Sequence, residues 1–395
     1  MACEVAPNLS RRILPAWGHA RASGLAALTT EKAMKKTALL TAIGIALAGT
    51  LIAGPAAAGP AGFRATIQTY VHGLNSPRGL AFGPDGALYV AESGDNTEST
   101  STAGECTQVQ PPVGPYTGGY SGRIQRFDHN GNGSVVADGL PSSQGPSGFT
   151  IGPAGIAFAG NHMYVLSAGG GCSHGVDGDP AGIVEILPGG GWDLVGDLSA
   201  YLQTHPDPKP TTDPDYEPDG TFFSIVFRGG KLYTAEPNHG QFLSVDRKGN
   251  VSLVADLFTV LGDHTPASIT YHDGWFYIGF EGRIPGFVTG VYRVSVNGQH
   301  VEPVNTTLSS VLGVTFGADG ALYAISSTNG NAPPFFIPNV GKLVRLESDG
   351  SVTTLVVGLN FPTAVVAGPD GALYVSNCSY GCGPGEGEVL RIFPR

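Results

Sequence analysis

Six times in this chain an apolar tripeptide recurs with tyrosine at its centre: Leu88-Tyr89-Val90, Met163-Tyr164-Val165, Leu232-Tyr233-Thr234, Phe276-Tyr277-Ile278, Leu322-Tyr323-Ala324 and Leu373-Tyr374-Val375. Each copy follows a Gly- or Asp-rich turn, and each turn follows another apolar strand. One such unit cannot bury its own faces, whereas stacked units can, so self-similarity at this period confines the chain to a propeller or a solenoid. Four strands, A to D, can be traced in the first copy at 79–82, 87–91, 123–127 and 134–137, with the tight turn Gly83-Pro84-Asp85-Gly86 between A and B. The sixth copy supplies A, B and C only. Residues 64–71, ahead of the first copy, alternate like a strand and are expected to pair as the outer strand of the last sheet, which removes the bare edges of an open stack. The expected fold class is therefore all-β: one six-bladed β-propeller over residues 62–395, closed by an N-terminal strand that completes the last blade.

The opening position of strand A reads Gly79, Gly155, Ser224, Ser268, Gly313 and Ala364. All are small, as innermost strands converging on an axis require. The repeated tyrosines read as rings packed between blades with the hydroxyl on a partner. Sixty glycines and thirty prolines sit at turns between apolar strands, so they punctuate an all-β fold rather than signal disorder.

Residues 1–58 stand apart. From Met34 the chain reads Lys35-Lys36, an apolar run over 37–54, then Pro55-Ala56-Ala57-Ala58. This is the pattern of a Sec-type signal peptide, with cleavage expected after Ala58. Met34 is the expected start and 1–33 an N-terminal extension; an unusually long basic region is the alternative. The run is near the lower limit for a membrane span and lacks a stop-transfer flank, so a released extracellular or periplasmic chain is expected, without a span after processing. With six of 21 basic and two of 32 acidic residues before Gly59, the rest carries 15 basic and 30 acidic residues, a formal charge of −15. That balance argues against nucleic acid and anionic membranes as partners. Four of the five cysteines lie beyond the leader, and an even count in an exported chain reads as disulfides. Of three possible connectivities, the favoured one joins Cys378 to Cys382 and Cys106 to Cys172; a metal held by all four thiolates is the rival.

The A–B and C–D connections are tight, and the B–C and D–A connections are long and varied. In up-and-down blades the two long kinds share one face, where binding is expected. The ligand-binding candidates there are Arg78, Glu92, Glu236, Glu281 and Asn377. Arg78 stands at the mouth of strand A in the first blade, where the others carry Ala154, Phe223, Ala267, Leu312 and Thr363. It can hold an anionic group or pair with Glu92 as a structural ion pair. The column after strand B reads Glu92, Ser167, Glu236, Phe280, Ser326 and Asn377, with Glu281 one place further on. Carboxylates around a channel mouth can bind Ca2+ through oxygen; solvated rim charge is the preferred alternative. Asp213, Asp215 and Asp219 belong to an acidic, proline-rich stretch that resembles a calcium loop without the EF-hand spacing, and they are weak metal candidates. The stretch 169–179, with Cys172, His174, Asp177 and Asp179, is another weak one. There is no H-E-x-x-H and no P-loop. No catalytic residue and no cofactor beyond Ca2+ can be nominated.

The stretch from Gly73-Leu74-Asn75-Ser76-Pro77-Arg78-Gly79 through Leu88-Tyr89-Val90-Ala91-Glu92 resembles the opening blade of the ScyD/ScyE family. Gly368-Pro369-Asp370-Gly371-Ala372-Leu373-Tyr374-Val375-Ser376-Asn377-Cys378, Gly387-Glu388-Val389-Leu390-Arg391-Ile392 and the segment from Thr265-Pro266-Ala267-Ser268 to Tyr292-Arg293-Val294 continue the likeness over the mature chain. The resemblance implies an exported six-bladed propeller of NHL-like type and brings no catalytic residues with it. One departure is Thr221-Phe222-Phe223-Ser224, where relatives tend to read Asn-Pro-Tyr-Gly. The functional expectation is a monomeric binding scaffold for an extracellular ligand or protein. The alternative is a metal-assisted hydrolase or lyase, gluconolactonase-like or streptogramin-lyase-like, by analogy of fold.

Overall fold

Each tyrosine tripeptide forms the second strand of a four-stranded antiparallel unit, and it is buried because it has a strand on either side and a neighbouring sheet against each face. In the first blade, A is Pro77–Phe82, B is Leu88–Glu92, C is Thr117–Phe127 and D is Gly133–Gln144. All five residues of this strand B are buried, while strand D is largely exposed over 133–139 and buried over 140–143. Blades two to five repeat the order, with A strands Pro153–Ala159, Ile225–Arg228, Pro266–His272 and Val311–Phe316. The sixth holds Val365–Ala367, Leu373–Asn377 and Gly387–Phe393, and its fourth strand is Thr66–Leu74 from the start of the propeller. That strand runs antiparallel to Gly387–Phe393, with Thr66 opposite Phe393 and Leu74 opposite Gly387. The computed structural model describes residues 65–205, 216–262, 265–282, 288–328 and 337–394. The chain divides into the units Met1–Ala57 and Ala58–Arg395. The expected leader, its start at Met34 and its cleavage position lie in 1–64, outside the described residues. No helix among the described residues is long and apolar enough to cross a membrane.

The core lies between adjacent blades. Tyr89, Ile124, Ile156, Val165 and Val184, for example, form one cluster from the facing sides of blades one and two. The tyrosine of strand B does more than fill space. Tyr89, Tyr323 and Tyr374 donate their hydroxyls to Asp85, Asp319 and Asp370 of the preceding A–B turns, at 3.2, 2.9 and 3.1 Å. An arginine from strand C meets the same carboxylate: Arg126 on Asp85 at 2.7 Å and Arg391 Nε on Asp370 at 2.7 Å. The glycine that opens the turn leaves room for the ring, since a β-carbon on Gly83 would lie 2.5 Å from Tyr89. The G-x-D-G-A-L-Y pattern is thus one packing device.

Strand A explains the column of small residues. A β-carbon on Gly79 would fall 2.5 Å from the carbonyl oxygen of Ala154 in the next blade, and one on Gly313 would fall 3.1 Å from that of Thr363. Close approach of innermost strands is made possible by the absence of side chains there. Three features go beyond the sequence reading. Blade one has a fifth strand, Thr150–Ile151, and its C and D strands extend well past 123–127 and 134–137. Two short helices, Leu198–Thr204 and Leu257–Leu261, follow the D strands of blades two and three. Both are N-capped by an aspartate, with Ala200 N–H donating to Asp197 and Thr259 N–H to Asp256, each at 2.8 Å.

Candidate functional site

The six A strands surround a central channel of about 410 Å3. At the loop face it is roofed by residues at or just before the start of strand A, Arg78, Phe223, Leu312 and Thr363, together with the loop aromatics Phe149 and Tyr380. Arg78 projects from blade one and is 5 % exposed. Its Nη2 donates to the carbonyl oxygen of Thr150 at 2.7 Å. Its guanidinium carbon lies 4.6 Å from the ring centre of Phe149, 5.4 Å from that of Tyr380 and 5.7 Å from that of Phe223. Cation–π attraction is strongest where water is excluded, and this arginine is enclosed in that way. Glu281, Leu312 and Thr363 complete the lining of a cavity of about 20 Å3 around it, roughly the room of one water. Phe361, Ala267 and Leu312 pack with Tyr380 in the same apolar cap.

Of the five ligand-binding candidates, Arg78 and Glu281 therefore meet at one cavity, and Glu92, Glu236 and Asn377 do not line it. These three share a different geometry. Glu92 is 0 % exposed and takes Arg123 in a two-point contact, Nε at 2.8 Å and Nη2 at 3.1 Å, as well as Gln125 and the backbone N–H of Asn75. The ion pair of Glu92 is thus with strand C of its own blade rather than with Arg78. Glu236 accepts from the backbone N–H of Thr221 at 3.1 Å and from Nδ1 and the backbone N–H of His239, Nδ1 at 2.9 Å. Asn377 accepts from the backbone N–H of Asn360 at 2.8 Å and donates to Glu388 at 2.9 Å. Ser326 donates to the carbonyl oxygen of Ser309 at 2.7 Å. The last side chain of strand B thus reaches the D–A segment that enters its own blade, in four of six blades. The column reads as a loop clamp, and its buried carboxylates are not a solvated rim.

Of the weak metal candidates, Asp213 and Asp215 lie outside the described residues. Asp219 is buried and accepts from both the backbone N–H and the hydroxyl of Ser173 at 2.7 Å, and from Gln203 at 3.2 Å. Next to it is a buried network that the sequence reading did not assemble. Tyr116 donates to Glu217 at 3.0 Å, and His174 lies 3.1 Å from the other oxygen of Glu217 through Nε2 and 2.7 Å from the carbonyl oxygen of Gly170 through Nδ1. Both ring nitrogens face acceptors, an arrangement that favours the doubly protonated imidazole. Burial pulls the His174 pKa down, but the hydrogen bond to Glu217, with the Glu217 and Asp219 charges, outweighs it and raises the pKa above the ordinary value. Asp177 is exposed, and Asp179 takes the Tyr120 hydroxyl at 2.9 Å, so neither converges on His174.

The cysteines join as the spacing favoured, Cys106 to Cys172 across 66 residues and Cys378 to Cys382 across four. The first crosslinks the B–C loops of blades one and two beside the His174 network. The second closes a loop that carries Tyr380 into the apolar cap. Among the described residues, the group of three or more His, Cys, Asp or Glu side chains that converges at metal-ligand spacing is Cys378, Cys382 and Glu386, whose two sulfurs are already bonded. Phe149, Tyr380 and Glu217 were not nominated from sequence. Tyr380 had a signal, an aromatic between two closely spaced cysteines, whereas Phe149 and Glu217 sit in irregular chain without any period.

No family model matches the chain, and no curated protein matches it in sequence. Solved structures match its fold. A protein from Thermus thermophilus, named an oxidoreductase (glucose dehydrogenase), is 19% identical, with 84% of this chain and 100% of that one covered at a TM-score of 0.53. A protein of unknown function from Bacteroides thetaiotaomicron is 12% identical, with 84% and 76% covered, at 0.53. A gluconolactonase from Xanthomonas campestris is 10% identical, with 84% and 90% covered, at 0.51. At these identities the likeness is one of architecture: the chain is a six-bladed β-propeller.

Proposed function

We propose that this chain is an exported β-propeller of the ScyD/ScyE type that works as a binding scaffold, its B–C/D–A loop face taking an extracellular ligand or protein. The leader pattern at 34–58 supports export. The observation that carries the binding reading is how the polar groups of the loop face are used. Glu92, Glu236, Glu217, Asp219 and His174 are buried in hydrogen bonds that tie loop segments to one another or to the ends of strands. Groups committed in this way brace a surface and are poorly placed to exchange protons with a substrate. What they leave is a stiff, crosslinked face around an aromatic cap, and rigid aromatic anchors are the usual energetic centre of a binding surface.

Binding of glycans, small metabolites and exported proteins to the purified chain, compared with the Phe149→Ala/Tyr380→Ala variant, tests this. Saturable binding that weakens about tenfold or more in the variant is expected. A second reading rests on Arg78 and Glu281 lining one cavity on the axis. A metal-assisted hydrolase or lyase at the channel mouth would work through those two side chains. Turnover of a lactone substrate, raised by Ca2+ and abolished in both Arg78→Ala and Glu281→Gln, would replace the binding reading with that one.

A further inference from the structure

Tyr380 is held over the channel mouth by a very short covalent loop. Cys378 and Cys382 are bonded, with Ser379, Tyr380 and Gly381 between them. The Tyr380 ring packs on Phe361 and Phe149, with ring centres 4.7 and 5.5 Å apart, and its hydroxyl lies 3.0 Å from that of Ser327. It is one of the rings that enclose Arg78. A crosslink constrains the unfolded chain more the longer the loop it closes, growing as the logarithm of that length, and this one closes a very short loop. What it fixes is the position of Tyr380. Cys378 has φ 57°, a left-handed backbone that a residue with a β-carbon adopts at a cost, so the loop is held there by the bond and by its cross-blade contacts. Cys378 is buried and Cys382 is partly buried, so Cys382 is the more accessible residue of the pair. Asn360 Nδ2 lies 3.3 and 3.4 Å from the two sulfurs and can donate to a departing thiolate.

We propose that Cys378–Cys382 is a thiol–disulfide exchange site that controls access to Arg78 at the mouth. The co-reactant is a dithiol. Its thiolate bonds to Cys382 Sγ, and the Cys378–Cys382 bond breaks with the electron pair on Cys378 Sγ, which takes a proton. The second thiol of the reductant then displaces Cys382, so two electrons and two protons pass to the protein and the reductant leaves as a disulfide. The released loop relaxes from the left-handed conformation at Cys378 and withdraws Tyr380, which uncovers Arg78. This goes beyond the binding reading and needs no ligand to be tested, so either can fail while the other stands.

The readout is the rate at which phenylglyoxal modifies Arg78 in the folded protein, followed by mass spectrometry of chymotryptic peptides. Arg78 is expected to react about tenfold faster in Cys378→Ser/Cys382→Ser than in the oxidised parent, as a newly opened local segment should. Dithiothreitol should reproduce that gain in Cys106→Ser/Cys172→Ser, which keeps the Cys378–Cys382 bond, and should add nothing to Cys378→Ser/Cys382→Ser. Tyr380→Ala, with the bond intact, should also speed the reaction. Should the double-serine variant fail to fold, the dithiothreitol arm and Tyr380→Ala decide the matter. An unchanged Arg78 rate in those arms, or a Cys378–Cys382 bond that dithiothreitol leaves intact in the folded chain, would overturn the proposal.

Discussion

Glu92 stands where a carboxylate could have faced the axis, and its surroundings show why it serves the blade instead. A fully buried carboxylate is tolerable only with its lone pairs occupied, and Arg123, Gln125 and the Asn75 N–H occupy them. Glu92→Ala leaves a partly buried guanidinium and a loop N–H without their acceptor. A loss of about 3 kcal/mol in urea denaturation is expected, with Glu92→Gln milder because it keeps one acceptor oxygen. His174 gives a prediction with a sign. Its folded pKa is raised above the ordinary value of 6.5, so its contribution is complete below about pH 6.5 and is lost as pH rises through the folded pKa. The melting temperature of wild type minus that of His174→Gln should therefore be larger at acidic than at alkaline pH; a difference that grows with pH contradicts the imidazolium assignment. Legibility at this scale followed repetition. The tyrosines of strand B could be read as packing residues because the same residue recurs after the same turn. The end-of-strand column was noticed for the same reason, but its chemistry was not readable, because what Glu92 and Glu236 meet is set by backbone N–H groups of the irregular segment that enters the same blade.

At the scale of elements, period carried the strands, and local capping carried what period could not. Asp197-Leu198 and Asp256-Leu257 end corresponding D strands, and each aspartate caps a helix that an apolar alternation alone does not announce. The two crosslinks differ in what they constrain. On the chain-entropy view, joining residues 66 apart removes far more unfolded-state freedom than joining residues four apart. Cys106→Ser/Cys172→Ser should cost about 4 kcal/mol and Cys378→Ser/Cys382→Ser about 2 kcal/mol, read from denaturation midpoints. The reverse order would mean that the short loop holds the fold and not merely Tyr380. The loop clusters themselves were illegible beforehand. Tyr116, His174 and Glu217 come from three separate connections, and no local pattern in any of them points to the others.

For the whole molecule, closure turns six marginal sheets into one cooperative body, and it depends on a strand borrowed from the other end of the chain. Without Thr66–Leu74 the last blade has three strands, and Gly387–Phe393 presents an unpaired edge. The borrowed strand is fastened by more than its ladder. Leu74 and Val71 are buried against Leu88, Val90 and Val389, and Glu388, which holds Asn377, also accepts from Thr69 at 3.2 Å. Leu74→Ala should thus cost about 2 to 5 kcal/mol, as a core position does, although it lies at the margin of the sequence repeat. Removing residues 65–74 outright should do more than subtract one strand. Blades one and six lose a shared core, so the melt should broaden and begin at lower temperature, and a synthetic peptide of residues 65–74 added in trans should sharpen it again. A truncated chain that melts within a couple of degrees of the parent, with the same steepness, would show that the six sheets cohere through their neighbours alone and that the strand is ornament rather than clasp.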